Sequence, residues 1–339
     1  MTHDRVLVRV GWVVIVALVA LAYLNGLHAP FVYDDRIEVV GNATIHNLDE
    51  LRAVLEYNVS RCLLILTYAW NYQVWGSDHD KNPGLMLVHG NGAHAHWWDF
   101  IAPAFTPDFR VIAIDLSGSG DSGHRESYSA EIFSDEIFEV CNDAGLIAPT
   151  LVGHSFGGTI ARTCAYLHPN DFGALILIDS AIPKRQSKRP IPRMPRSETR
   201  HYNTLTEAKR RFRLRPPQPC EHQYIIDYIA KHSVKKTNEG YRFKLDQALF
   251  AKMKPMNLPD AFSMIQSISC PKATIYGELS RFFGNDAVQN LEQLFAARDI
   301  IRIAHAHHHV FLDQPEVFTQ ALLLLTHSFL PTDSPTPSL

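Results

Sequence analysis

Residues 149–161 read PTLVGHSFGGTIA, an apolar run that passes through two glycine steps into a helical pattern, with Ser155 at the turn. A strand that reverses straight into a helix leaves no room for bulk on either side of the reversal, so small residues flank the serine. The serine is then held strained and exposed above the strand end. Its hydroxyl also faces the N-terminus of the following helix, where unpaired backbone N–H groups stabilise negative charge. Gly153-His154-Ser155-Phe156-Gly157 thus fits G-x-S-x-G. A nucleophile at Ser155 requires a base, an orienting acid and an oxyanion hole elsewhere in the chain.

The surroundings of the turn agree with that reading. GLMLVHG (84–90), RVIAIDL (110–116), TLVGH (150–154), ALILIDS (174–180) and KATIYG (272–277) are short apolar runs ended by Gly, Asp or Ser. Such runs read as strands buried on both faces. Phe133, Ile137 and Val140 recur at helical spacing between the second and third runs, and PEVFTQALLLLTHSFL (315–330) is a helix with proline in its first turn. Strands alternating with helices predict an α/β fold with a doubly wound, mostly parallel sheet. NYQVWG, from Asn71, is expected as an antiparallel edge strand. At 339 residues the chain can bury one large core plus a small appendage.

HGNGAHAHWWDF (89–100) follows the first buried run. A His-Gly turn here brings the Asn91 backbone N–H towards Ser155, and the Phe156 N–H is the second oxyanion donor. Gly90, Gly92 and Trp97 complete the candidate oxyanion and substrate-binding set, and His94 and His96 either line the site or sit at the surface. Near the C-terminus, AHAHHHVFLDQPEVF (304–318) places four histidines in five positions. A metal site needs convergent geometry and further ligands, so the expectation is one catalytic imidazole and no metal. His308 is the choice, with His307 and His309 as neighbours that spacing alone does not separate from it.

LVHGNG, DLSGSGDSG, VGHSFGG and AHHHVFLDQPE together resemble the α/β-hydrolase superfamily over about residues 71–330. The resemblance implies that Ser155 attacks an acyl carbon, that His308 takes its proton, and that a carboxylate orients the imidazole. It also implies that the 115–123 loop is a tight turn shaping the pocket floor. The family's usual acid lies three residues after the glycine that ends the seventh strand, and that position here is Ser280. Two replacements stand open: Asp179, at the end of the sixth strand, and Glu278, directly after Gly277, with Asp286 or no acid behind them.

About ninety residues (182–270) separate the sixth and seventh strands, too many for a simple loop, and pieces such as EHQYIIDYIAKHS (221–233) predict a helical cap over Ser155. Lys184 to Arg215 holds twelve Lys/Arg against Glu198 and Glu207. A stretch of this kind is a solvated face, a contact for anionic lipid, or a guide for an acidic substrate. It lacks the aromatic interleaving of single-stranded nucleic-acid binders, and the net charge of −3 also argues against a nucleic-acid partner.

The N-terminus is of another kind. Val6–Leu24 is apolar over 19 positions but for Arg9, long enough to span a membrane, with a cleavable signal peptide ending near Ala20–Ala22 as the competing reading. Arg5 before the run and Arg9 near its start, with Asp34 and Asp35 after it, place the N-terminus in the cytoplasm and the rest outside. Cys62, Cys141, Cys164, Cys220 and Cys270 are odd in number and widely spaced, which reads as reduced, mostly buried thiols and points to the cytoplasm instead. LNGLHAPFVYDDRIEVVGNATIHNLDEL and SRCLLILTYAWNYQVWG resemble the first membrane helix and loop of multi-pass protein O-mannosyltransferases with tetratricopeptide repeats. The resemblance would put Tyr33, Asp34 and Asp35 at that family's catalytic loop. No further spans or helical repeats follow in the sequence and Cys62 replaces an expected proline, so the transferase activity is not carried over. A gene fusion or a mis-joined gene accounts for the segment, and without it the protein is expected in the cytoplasm.

The expected organisation is a membrane segment (1–28), a fused loop (29–70), the hydrolase-like domain (71–330) and a Ser/Pro/Thr-rich tail (331–339) expected to be disordered. The expected activity is that of a cofactor-independent serine hydrolase. Its substrate is a small acyl compound: an ester, lactone, thioester or β-diketone-type carbon–carbon compound. A non-catalytic binding protein on the same fold is the alternative, motivated by the serine at 280.

Overall fold

The computed structural model describes residues 71–76, 82–184, 200–255 and 258–330. The predicted membrane segment, the fused loop with Tyr33, Asp34 and Asp35, Cys62 and the tail lie outside the described residues. Among the described residues no helix is long and apolar enough to cross a membrane.

Seven strands form the main sheet: β1 (Asn71–Trp75), β2 (Gly84–Val88), β3 (Arg110–Asp115), β4 (Thr150–His154), β5 (Ala174–Ile178), β8 (Lys272–Gly277) and β9 (Ile300–Ile303). Their spatial order is β1-β3-β2-β4-β5-β8-β9. Only β1 runs antiparallel, pairing Asn71 with Asp115 and Trp75 with Val111 on β3. The other pairings are parallel. Every residue of β2, β4 and β5 is buried, as expected of strands covered on both faces.

The two-residue period of a strand sorts these side chains into two cores. Met86, Val88, Ile112 and Ile114 join one cluster with helices α1 (Ala130–Asp143) and α2 (Phe156–Leu167). Leu85, Leu87, Val111 and Ala113 join the other with Trp98, Phe105 and the C-terminal helix α8 (Pro315–Ser328). From β2 the chain steps to β3 on one side and then returns to β4 on the other. Ligand crevices of open α/β sheets form where strand order reverses in this way, at the C-terminal strand ends. Residues 89–92 and Ser155 lie at that place.

The strand leading to Asp179 is the fifth among the described residues, and the residues before Asn71 lie outside them. Two expectations need correction. Ile300–Ile303 is a strand that the sequence reading passed over. It pairs with β8 at the sheet edge, and the exposed Arg302 breaks its apolar run. The cap is also not wholly helical. It holds helices α3 (Leu205–Arg211) and α4 (Gln223–His232), followed by an antiparallel ribbon of β6 (Val234–Thr237) and β7 (Gly240–Phe243). Gly240 has φ +110, and a Cβ there would meet the Tyr202 carbonyl at 2.4 Å, so the ribbon closes only with glycine. Helix α5 (Ala261–Ser267) belongs beneath, since Phe262 and Ile265 pack in the core with α2.

The thiols divide evenly. Cys141 and Cys164 are buried, Cys220 and Cys270 half-buried, and all four are free.

Candidate active site

Ser155 occupies the turn between β4 and α2 at φ 54° and ψ −116°, a conformation that side-chain-bearing residues rarely adopt. Packing holds it there. A Cβ on Gly153 would approach the Gly157 carbonyl oxygen to 2.5 Å, and a Cβ on Gly157 would approach the His89 carbonyl oxygen to 2.3 Å. The Ser155 N–H donates to the Ile178 carbonyl at 2.9 Å, and the Ser180 hydroxyl donates to the Ser155 carbonyl at 2.9 Å.

The Ser155 hydroxyl lies 2.8 Å from His308 Nε2, and His308 Nδ1 lies 2.6 Å from Asp179 Oδ1. An ionised carboxylate only accepts, so Nδ1 carries the proton and Nε2 is left as an acceptor for the serine hydroxyl. Asp179 is closed from solvent and stands at φ +41. It also accepts the Ser280 hydroxyl at 2.7 Å and the Gly277 N–H at 2.9 Å, so three donors replace its lost water. Glu278 is not brought to the imidazole. Its carboxylate accepts the His305 N–H at 3.1 Å and pairs with Arg302 at 3.3 Å, because successive side chains leave the strand end in different directions. Asp286 is exposed in the first turn of helix α6 (Asn285–Leu294).

The geometry separates the histidine triplet. His307 turns to Asp313, which accepts both its N–H and its ring nitrogen, at 2.7 and 2.9 Å. His309 is buried beside Trp97 and His154, and burial, aided by the nearby His308, pushes it down to about 3. Of the three, His308 alone bridges a carboxylate and a hydroxyl. Nitrogens of His154, His308 and His309 all lie within 4.8 Å of one another. Both ring nitrogens of His308 are already engaged, by Asp179 and Ser155, and His154 Nε2 lies 3.1 Å from the His308 carbonyl.

The turn after β2 packs on the nucleophile. A Cβ on Gly90 would lie 2.7 Å from His154 Nδ1 and 3.3 Å from the Ser155 Cβ. His89 Nδ1 donates to the Gly90 carbonyl at 2.8 Å while its Nε2 accepts the Leu116 N–H at 3.1 Å, tying the turn to the end of β3. Burial pushes His89 down to about 4, which suits a neutral ring with one donor and one acceptor. Asn91 and Gly92, the latter at φ +72, follow. Asn91, Gly92, the buried His94 and Trp97 line a cavity beneath the cap. His96 is half-buried and bonds Asp99 at 2.8 Å. Phe156 opens α2, and its N–H is one of the first-turn donors with no partner inside the helix.

The 115–123 loop closes the floor. Asp115 is buried and accepts the Ala95 and Asp121 N–H groups at 2.6 and 2.8 Å. A Cβ on Gly120 would strike its carboxylate at 2.0 Å.

The family model described as the alpha/beta hydrolase family matches residues 85–321, well over half of the chain. The chain belongs to the alpha/beta hydrolase family. A mouse protein named "Serine hydrolase-like protein" is 35% identical over 123 residues, covering 34% of this chain and 39% of that protein. The pimeloyl-[acyl-carrier protein] methyl ester esterase of Vibrio vulnificus is 23% identical over 246 residues, covering 72% of this chain and 94% of that enzyme. Among solved structures, the thioesterase domain from the curacin biosynthetic pathway superposes with a TM-score of 0.63 at 22% identity, covering 76% of this chain and 95% of that one. This last likeness shows a shared fold. The family match begins at residue 85, so the mannosyltransferase-like segment lies outside it.

Within this hydrolase-family site, sequence reasoning passed over the supports of Asp179. Ser280 was read as the loss of an acid, yet its hydroxyl holds the carboxylate that faces His308. The signal was present: the residue at the family's acid position is itself a hydrogen-bond donor. Phe282, whose ring lies 4.7 Å from the His308 imidazole, carried no such mark.

Proposed function

We propose that this alpha/beta hydrolase is a serine hydrolase that forms an acyl-enzyme at Ser155. The observation that carries the reading is the continuous relay from Ser155 through His308 to Asp179, at 2.8 and 2.6 Å. As the Ser155 oxygen attacks the acyl carbon, His308 Nε2 takes its proton, and Asp179 stabilises the resulting imidazolium. The carbonyl oxygen becomes an oxyanion that the Phe156 and Asn91 N–H groups receive, with the dipole of α2 behind the first. His308 then gives the proton to the departing oxygen or sulfur, or to the departing carbon in a carbon–carbon substrate. In the second half-reaction it takes a proton from water, which attacks the acyl-enzyme and frees Ser155. The substrate class is a small ester, lactone, thioester or carbon–carbon compound of the β-diketone type. The named esterase and the thioesterase-domain fold support the first and third of these.

The reading of a non-catalytic binding protein began from the serine at 280. A carboxylate hydrogen-bonded to His308 from another strand end answers that objection. Rapid mixing with p-nitrophenyl butyrate tests the proposal. A burst of nitrophenol close to one equivalent of enzyme, absent in Ser155→Ala, is the expected result. A linear release that Ser155→Ala leaves unchanged would overturn it.

A further inference from the structure

The cavity beneath the cap has a volume of about 300 Å³. It meets the site through Asn91 and Gly92 on the turn that packs against Ser155; Ser155 and His308 themselves are not in its wall. Its lining contains Arg200, Arg211, Arg213, Arg215 and Lys244 and no aspartate or glutamate. Lys244 pairs with Asp121. The four arginines have no carboxylate partner among the described residues, and Arg213 donates only to the main-chain carbonyls of Arg210 and Phe212. Among the described residues, Glu207 accepts the Asn203 N–H and Glu239 meets His201. Trp97, Phe212 and Leu245 supply apolar wall between these charges.

Arg200, Arg211, Arg213 and Arg215 are all exposed residues, and four guanidinium groups around the mouth of one concavity repel each other. Apolar walls lower the local dielectric and strengthen the field inside. Guanidinium forks match the oxygens of carboxylate and phosphate two at a time. We infer that this cavity receives an anionic group, carboxylate or phosphate, carried by the substrate whose acyl carbon meets Ser155. The inference rests on the serine-hydrolase reading and narrows it: the physiological substrate is an anionic ester or thioester. The cap arginines then act on specificity, lowering KM for charged substrates.

Two matched substrate pairs separate the two sources of charge. Mono-p-nitrophenyl glutarate against p-nitrophenyl butyrate places a carboxylate on the acyl chain. Butyryl-coenzyme A against butyryl-N-acetylcysteamine places phosphates on the leaving group. In at least one pair the anionic member should be favoured in kcat/KM by about 30-fold, carried by KM. That ratio should fall to within about threefold of unity in Arg211→Gln/Arg213→Gln, and should shrink in about 0.5 M salt. The exposed Arg200→Gln gives a second variant that does not disturb the core. Ratios within about threefold of unity for both pairs in the wild-type protein would overturn the inference while leaving ester hydrolysis standing. If none of the four compounds is turned over, calorimetry with glutarate and with inorganic pyrophosphate on Ser155→Ala decides the matter separately. Binding that the arginine variants abolish supports the anion site, and absence of binding overturns it.

Discussion

Asp179 sits where an aspartate does not settle unaided, at positive φ and closed from water. Its stability comes from three donors, and its use comes from one of them, the His308 ring. Removing the Ser280 hydroxyl takes one donor from a buried carboxylate, worth about 1–3 kcal/mol. Ser280→Ala is therefore expected to lower kcat by about tenfold with KM little changed, because the imidazole loses its held partner and not its substrate contacts. Steady-state kinetics on one ester checks this, and a change confined to KM would contradict it. Ser155 and His308 were legible in the sequence as the proposed nucleophile and base, since G-x-S-x-G and a histidine run before the last helix are local patterns. Their carboxylate partner was legible only as a choice between Asp179 and Glu278. Asp179 and His308 are 129 residues apart and meet only because β5 pairs with β8 and β8 with β9, a fact that no spacing along the chain contains.

At the scale of elements, the buried strands were legible because two-faced burial writes itself as an unbroken apolar run. Leu87 on β2 has no exposure and packs in the cluster with Trp98 and Phe318. Leu87→Ala should cost about 2–5 kcal/mol, read from chemical denaturation, whereas a loss under about 1 kcal/mol would contradict this account of the core. Helix α1 is capped by Ser129, whose side chain accepts the Ile132 N–H at 3.2 Å. Ser129→Ala is expected to cost about 1 kcal/mol. What escaped the sequence reading shares a cause. Strand β9 and the cap ribbon are partly exposed and interrupted by charge, so their alternation hides among lysines and arginines. The ribbon also lies next to a basic stretch whose composition resembles a surface more than a strand.

At the scale of the whole molecule, acid is the condition that this fold tolerates least. Burial pushes His89 to about 4 and His309 to about 3, and it holds His94 and His154 well below the usual imidazole value. In the unfolded chain each titrates near about 6.5. Between about 4 and 6.5 the unfolded state therefore binds protons that the folded state refuses, so this contribution is complete above 6.5 and lost as pH falls. Asp115, pushed up to about 6 by burial, and Glu136, raised by burial, work the other way over part of that window. Four imidazoles outweigh two carboxyls. The melting temperature should fall steadily from pH 6.5 towards 4, and a rise over that interval would contradict the burial of these rings. The two-sided sheet was legible from strand–helix alternation. The concentration of arginines around one cavity was not, since sequence shows a charge run but not which side chains share a concavity.

The most direct test of the central claim is fluorophosphonate labelling of the purified chain, followed by intact mass, with Ser155→Ala, His308→Ala, Asp179→Asn and Glu278→Gln compared under one condition. One label is expected on the wild type and none on Ser155→Ala, with rates slowed by about three to four orders of magnitude in His308→Ala and Asp179→Asn and near normal in Glu278→Gln. A wild-type chain that stays unlabelled while a control hydrolase reacts would contradict catalysis at Ser155, and slowing by Glu278→Gln alone would contradict Asp179 as its acid.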